Sequence, residues 1–177
     1  MSHYYLAHLN VVRPLTAFSP ETAEVKLFFS MLLNVFGAAA KADGLKWHRH
    51  GIRSIDGSYV PLMHAMELES KSVEENPHIL TMGGWTSLKA MHGFTYRHPI
   101  HIQAMKELRH WVDRTEGPTM VMWWAPAGKR VSLEDGWSRL QMLRANGPSP
   151  EAFTLQERFP APDRRTLIPP QAQADIA

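Results

Sequence analysis

A chain of 177 residues that is 44% hydrophobic and 10% aromatic carries enough apolar material for one core and one domain. Its 19 basic and 17 acidic residues leave a formal charge of +2 with no long basic run, which argues against a nucleic-acid partner. Cysteine is absent, so disulfides, thiolate zinc sites and thiol nucleophiles are excluded together, and any metal must rest on histidine and carboxylates. No apolar stretch approaches the ~20 residues of a membrane span, and the start, with His3, Tyr4 and Tyr5, lacks a basic-then-apolar signal layout, so no membrane partner and a cytoplasmic location are expected.

Residues 5–12 (YLAHLNVV) alternate imperfectly and favour a strand, which Pro14 ends because proline cannot donate to a ladder. Ser19-Pro20-Glu21 offers a helix N-cap, a proline at the first helical position and an early acid. Val25, Phe28, Phe29, Leu32, Leu33 and Phe36 then recur at helical spacing, and the helix is predicted to end near Asp43-Gly44. From Leu45 the run LKWHRHGI predicts a second strand, closed by the turn dipeptide Asp56-Gly57. Residues 58–77 form an irregular excursion bracketed by Pro61 and Pro77. Residues 78–85 (HILTMGGW) predict a third strand, in which Gly83-Gly84 marks a bulge or a close ligand approach.

Thr86-Ser87 opens a helical region. Pro99 sits in the first turn of a longer helix predicted to run to about Arg114, with Ile102, Met105, Leu108, Trp111 and Val112 on its apolar side. Residues 119–125 (TMVMWWA) give the fourth and most apolar strand, stopped by Pro126-Ala127-Gly128. Ser132-Leu133-Glu134-Asp135 opens a last helix that Gly147-Pro148 ends. The order predicts an α+β, ferredoxin-like split βαβ sandwich with an extra C-terminal helix and an extended tail. One face of such a sheet is helix-covered. The other needs a cover, and pairing two sheets face to face predicts a homodimer, a dimeric α/β barrel. Residues 1–162 are expected to form this domain and residues 163–177 a weakly ordered tail.

Met122-Trp123-Trp124-Ala125-Pro126-Ala127-Gly128 is followed by Arg139-Leu140, Leu143-Arg144-Ala145, Gly147-Pro148 and Glu151-Ala152-Phe153-Thr154. This pattern resembles the domain-of-unknown-function 3291 family of the dimeric α/β-barrel superfamily. Leu6-Ala7-His8-Leu9-Asn10, Trp85-Thr86-Ser87, and Phe94-Thr95-Tyr96 through His101 to Arg109-His110-Trp111 carry the resemblance over most of the chain up to Pro162. It implies a fold and a dimer, and function must come from the site.

In a ferredoxin-like subunit Asn10, Trp85 and His101 are expected to converge. The set is similar to the Asn, Trp and His of heme-degrading and cofactor-independent monooxygenases on the same barrel, where the His ligates heme iron or lies beside an aromatic substrate. A neutral imidazole serves as ligand or base, and an amide can hold an oxygen atom. Tyr96, beside Arg97, His98 and His101, is a candidate acid or oxyanion donor. Trp47, Phe94 and Trp123, with Trp85, supply flat apolar walls. The plainer alternative makes Trp85 and the other aromatics ordinary core, Asn10 a partner for backbone groups, and His101 a packing residue.

His48 and His50 share one strand face and could bind a metal with His64, His92 or His98. Lys46 is on that face and no carboxylate completes the sphere, so a solvated basic strand and no metal are expected. Phosphate loops, nucleophile elbows and HExxH helices are missing. The expectation is an enzyme without cofactor, acting on a small apolar aromatic compound by monooxygenase-like or cyclisation chemistry, with His101 as base and Tyr96 or Asn10 stabilising negative charge. The alternative is a heme or small-ligand binder without turnover, with His101 or His98 on the iron.

Overall fold

Alternation along the first strand, β1 (Tyr4–Val12), sorts the molecule into two faces: Tyr5, Ala7, Leu9 and Val11 enter one core, while Leu6, His8, Asn10 and Val12 turn to the other side. The computed structural model describes residues 3–162. Strands β2 (Leu45–Arg53), β3 (Tyr59–Val60), β4 (His78–Trp85) and β5 (Met120–Pro126) join β1 in one antiparallel sheet of order β3-β2-β4-β1-β5. Without the short β3 this is the ferredoxin-like order expected. β1 lies between β4 and β5, with Asn10 opposite Thr81 on one side and Met120 on the other.

Helices α1 (Ala23–Ala39), α2 (Leu88–Arg97) and α3 (Pro99–Leu108) lie on the His8 face. Val25, Phe28 and Leu32 of α1 pack with Phe18, Ile52, Ile79 and Trp111. Met91 and Phe94 of α2 pack with Leu6, Trp85, Met122 and Phe153. The last helix, α4 (Leu133–Asn146), begins in a capping box in which Ser132 Oγ accepts from the Asp135 N–H and the Asp135 carboxylate accepts from the Ser132 N–H. It crosses the opposite face, where Leu140 and Leu143 meet Leu9, Leu80, Met82, Val121 and Trp123. A side chain on Gly136 would stand 3.2 Å from Leu9 Cβ and from Met82 Sδ, so glycine lets this helix approach the sheet. The face for which a partner's sheet was expected as cover is therefore covered by the chain's own last helix.

Several elements differ from expectation for local reasons. α1 starts at Ala23 because Ser19, Pro20 and Glu21 close a turn in which the Thr22 N–H donates to the Ser19 carbonyl (3.1 Å). α3 ends at Leu108, short of Arg114. The chain there turns to pair with the end of β1: Leu15 N–H donates to Trp111 O (2.9 Å) and Asp113 N–H to Arg13 O (2.8 Å). The excursion is held by β3 on β2 and by buried Asn76. The Asn76 amide accepts from the Phe18 N–H (2.8 Å) and donates to the Pro14 and Thr16 carbonyls (2.9 and 2.8 Å).

Gly83-Gly84 marks no bulge of β4. The register irregularity lies on β2, between Leu45 and Trp47. A Cβ on Gly84 would lie 2.3 Å from Trp47 Nε1, and one on Gly83 would lie 2.9 Å from His8 Cε1. The close approach is by two of the chain's own rings, one on each face. Beyond α4 the chain returns to β5, where Met122 and Phe153 exchange backbone hydrogen bonds (2.8 and 2.9 Å). The expected tail, residues 163–177, lies outside the described residues. Among the described residues, 3–162, no helix is long and apolar enough to cross a membrane.

Candidate functional site

A cavity of about 370 Å³ opens between the sheet and helices α1 and α3. Outward residues of two neighbouring strands make its floor: His8 and Asn10 from β1 and Thr81 from β4. Phe28, Met31, Leu32 and Phe36 of α1 form one wall, and Ala104, Met105 and Leu108 of α3 form the other. Thr95, Tyr96 and His101 gather where α2 hands over to α3, and Arg109, Arg114 and Thr119 stand at the far end. All three residues expected to carry chemistry, Asn10, Tyr96 and His101, thus line one cavity.

The polar end is built around two imidazoles. His8 faces the cavity from deep within the protein, and burial, helped by nearby His101 and opposed by the Gly83 backbone, pushes it down to about 4. It is a neutral ring at physiological pH. Its Nδ1 accepts the indole N–H of Trp85 at 3.0 Å, which places the ring's proton on Nε2. Burial also lowers His101, with the Thr95 backbone opposing and His98 adding to the fall. Tyr96 is half-exposed at the mouth beside His92 (ring centroids 5.1 Å apart), and burial raises its hydroxyl, which stays a proton donor.

Trp85 and Phe94 stand behind the cavity and do not line it. Trp85 is almost fully buried and lies tilted against Phe94 at 5.6 Å, and Phe94 meets the His101 ring at 5.4 Å. Trp85 thus contacts the His8 ring and Phe94 the His101 ring, while neither lines the cavity where substrate contact was expected. Trp47 and Trp123 are corrected more fully, because they occupy the opposite face. Trp47 sets an edge on Tyr5 at 5.7 Å over Gly84, and Trp123 is buried beneath α4 with the Arg139 guanidinium 5.2 Å from its ring centre. Arg97 and His98 line a separate shallow groove with Asp43, Lys89, Phe94 and Pro99, outside the cavity. His48 and His50 stack on Phe36 at 5.7 and 4.5 Å, and burial lowers His50. Among the described residues no group of three or more histidines and carboxylates is suited to a metal.

His8 lines the cavity but is not among the residues singled out from the sequence. The signal was present, because an ionisable side chain two positions before Asn10 on a strand must share its face. Thr81, Arg109 and Arg114 were missed as well, and only the strand register and the chain's path beyond α3 bring them in.

Residues 5–168 match the model of a family described as a domain of unknown function (DUF3291). The chain belongs to that family. No curated protein matches it. In this DUF3291 chain the segments that carry the plainest resemblance, residues 122–128 and 139–154, build β5, its covered edge and the closed face. The candidate chemistry sits on residues 8–10 and 95–101.

Proposed function

We propose that this DUF3291 chain is a cytoplasmic small-molecule enzyme that removes a proton from an apolar, aromatic substrate within the cavity, without a cofactor. The observation that carries the reading is that Asn10, Tyr96, His101 and His8, with Trp85 holding the His8 tautomer, line one cavity whose middle is apolar. Neutral His101 accepts a proton from a C–H or O–H acid next to a carbonyl. His8 Nε2–H, the Asn10 amide and the Tyr96 hydroxyl supply donors to the oxygen on which negative charge develops. The resulting carbanion or phenolate is the species from which cofactor-independent oxygenation or cyclisation starts.

Deuterium uptake at the acidic carbon of an aromatic ketone, followed by NMR in D2O, tests the proton transfer directly. His101→Ala should slow uptake on the order of 10²–10⁴-fold with its thermal midpoint unchanged, whereas His98→Ala should leave it unaltered. Equal rates in wild type and His101→Ala would overturn the reading. Parallel loss of uptake and folding would return His101 to the core.

A second reading, a heme binder without turnover, draws on one observation: the neutral imidazole of His101 lines a cavity with apolar walls. Heme would supply iron-centred redox chemistry. The residues fit it at the iron through His101 alone, because ligation by His8 Nε2 would move the ring proton onto the nitrogen that faces the Trp85 N–H. His98 lies outside the cavity. A Soret band on hemin titration, lost in His101→Ala, would support this reading, and no band would remove it.

The homodimer implied by the resemblance is proposed only as an assembly of chains that each hold a whole cavity, since α4 lies where a partner's sheet was expected. Light scattering showing the mass of one chain would exclude it.

A further inference from the structure

The cavity is polar at both ends and apolar between, and its ends differ in charge. His8 and His101 occupy one end as neutral rings, and Arg109 and Arg114 occupy the other. Arg109 is the C-cap of α3, and at ~1.5 Å per helical residue it sits about 12 Å further along the axis than His101. Phe28, Leu32, Met105 and Leu108 separate the two ends, and no carboxylate lines the cavity.

Two neighbouring acids, Asp113 and Glu116, are already engaged. Asp113 takes the Thr115 hydroxyl (2.7 Å) and lies 3.5 Å from Arg13, while Glu116 pairs with Arg13 (3.0 Å), His78 (3.1 Å) and Arg144 (2.7 Å). Among the described residues neither Arg109 nor Arg114 has an ion pair. Arg109 Nε donates to His110 Nε2 (2.9 Å), which leaves its terminal N–H groups for another acceptor. Guanidinium groups on a cavity without a counter-charge suit a planar oxyanion, which they bind in bidentate fashion. The end of α3 carries the negative pole of the helix, so a monoanion is favoured over a phosphate dianion.

We propose that the cavity takes an apolar ligand bearing one carboxylate, which seats at Arg109 and Arg114 and places the group to be transformed about 12 Å away beside His101. This inference rests on the proton-transfer reading for the identity of the reacting end, but carboxylate recognition is measured separately.

Calorimetric titration with decanoate, decan-1-ol and decyl phosphate provides the test. Wild type should bind decanoate at least about tenfold more tightly than the alcohol and more tightly than the phosphate. Arg109→Gln/Arg114→Gln should lose about tenfold for decanoate and nothing for decan-1-ol, while Arg97→Gln, which lines the separate groove, stays within about threefold of wild type for decanoate. Met105→Trp, which fills the cavity from its half-exposed wall, should lose both probes, with circular dichroism verifying its fold. Equal affinity for alcohol and carboxylate, tightest binding of the phosphate, no binding at all, an unaffected double variant, or unimpaired binding by folded Met105→Trp would each overturn the proposal. Deuterium uptake that depends on His101 without carboxylate discrimination would remove this inference and leave the proton-transfer reading standing. Discrimination without His101-dependent uptake would do the reverse.

Discussion

β1 serves two faces built by opposite rules. Leu9 and Val11 point into a predominantly apolar layer closed by α4, where close packing sets the requirements. His8 and Asn10, the residues between and beside them, point into a space that α1 and α3 leave open, and there the polar groups are aimed at the opening. One strand of alternating residues thus divides scaffold from chemistry, and a substitution should reveal its side by whether stability or ligand handling changes.

The largest effect is expected on the closed face. Leu140→Ala, at a fully buried position, should cost ~2–5 kcal/mol in urea unfolding and leave probe binding intact. Asn10→Ala should cost within about 1 kcal/mol and reduce deuterium uptake. If Leu140→Ala alters binding as much as Asn10→Ala does, the two faces are not separable.

Next comes pH. His8 falls from 6.5 in the unfolded chain to about 4 in the folded one, so between these values the unfolded chain holds the proton more often and stability rises with pH. The His8 contribution is complete above pH 6.5 and is lost as pH falls towards 4, on the order of 3 kcal/mol at most. Lowered His101 and His78 work in the same direction. Unfolding free energies at pH 7, 6 and 5 should fall less steeply in His8→Gln than in wild type, and parallel curves would show that His8 titrates normally.

The adjacent glycines sharpen the contrast further. Gly84→Ala and Gly83→Ala should each cost ~1–3 kcal/mol through ring contacts, the former against Trp47 and the latter against His8. Only Gly83→Ala should move the Trp85 indole N–H resonance, because only it displaces the acceptor. Smallest is Trp85→Phe, expected to lose about 1 kcal/mol with the hydrogen bond and to let His8 sample both tautomers, visible in its ring ¹⁵N shifts.

Much of the frame was legible in the sequence because local signals agreed. β4 lies where HILTMGGW placed it, and α4 starts at the predicted cap and stops at Gly147. That Asn10 and His101 line one cavity was legible too, since fold order brings β1 and the start of α3 together, whereas Trp85, expected to converge with them, stands behind it. What could not be read was which face of a strand meets which neighbour. Trp47 and Trp123 alternate as strand residues should, yet nothing local says that their side is the one α4 seals. The end of α3 was misjudged because residues 111–113 prefer pairing with residues 13–15, a contact a hundred residues away in the chain and silent in helical periodicity.

The return of the chain to β5 has a consequence for life at high concentration. A sheet normally offers two rows of unsatisfied backbone donors and acceptors to any passing strand, and such rows template aggregation. Here β3 covers Ile52 and Arg53 of the β2 border, and the opposite border is engaged at Met122 by Phe153, with the Trp124 indole donating to Phe159 O at 2.8 Å. The family's most recognisable segment therefore doubles as a guard against strand addition, which lets the chain keep the apolar run MVMWWA without becoming sticky.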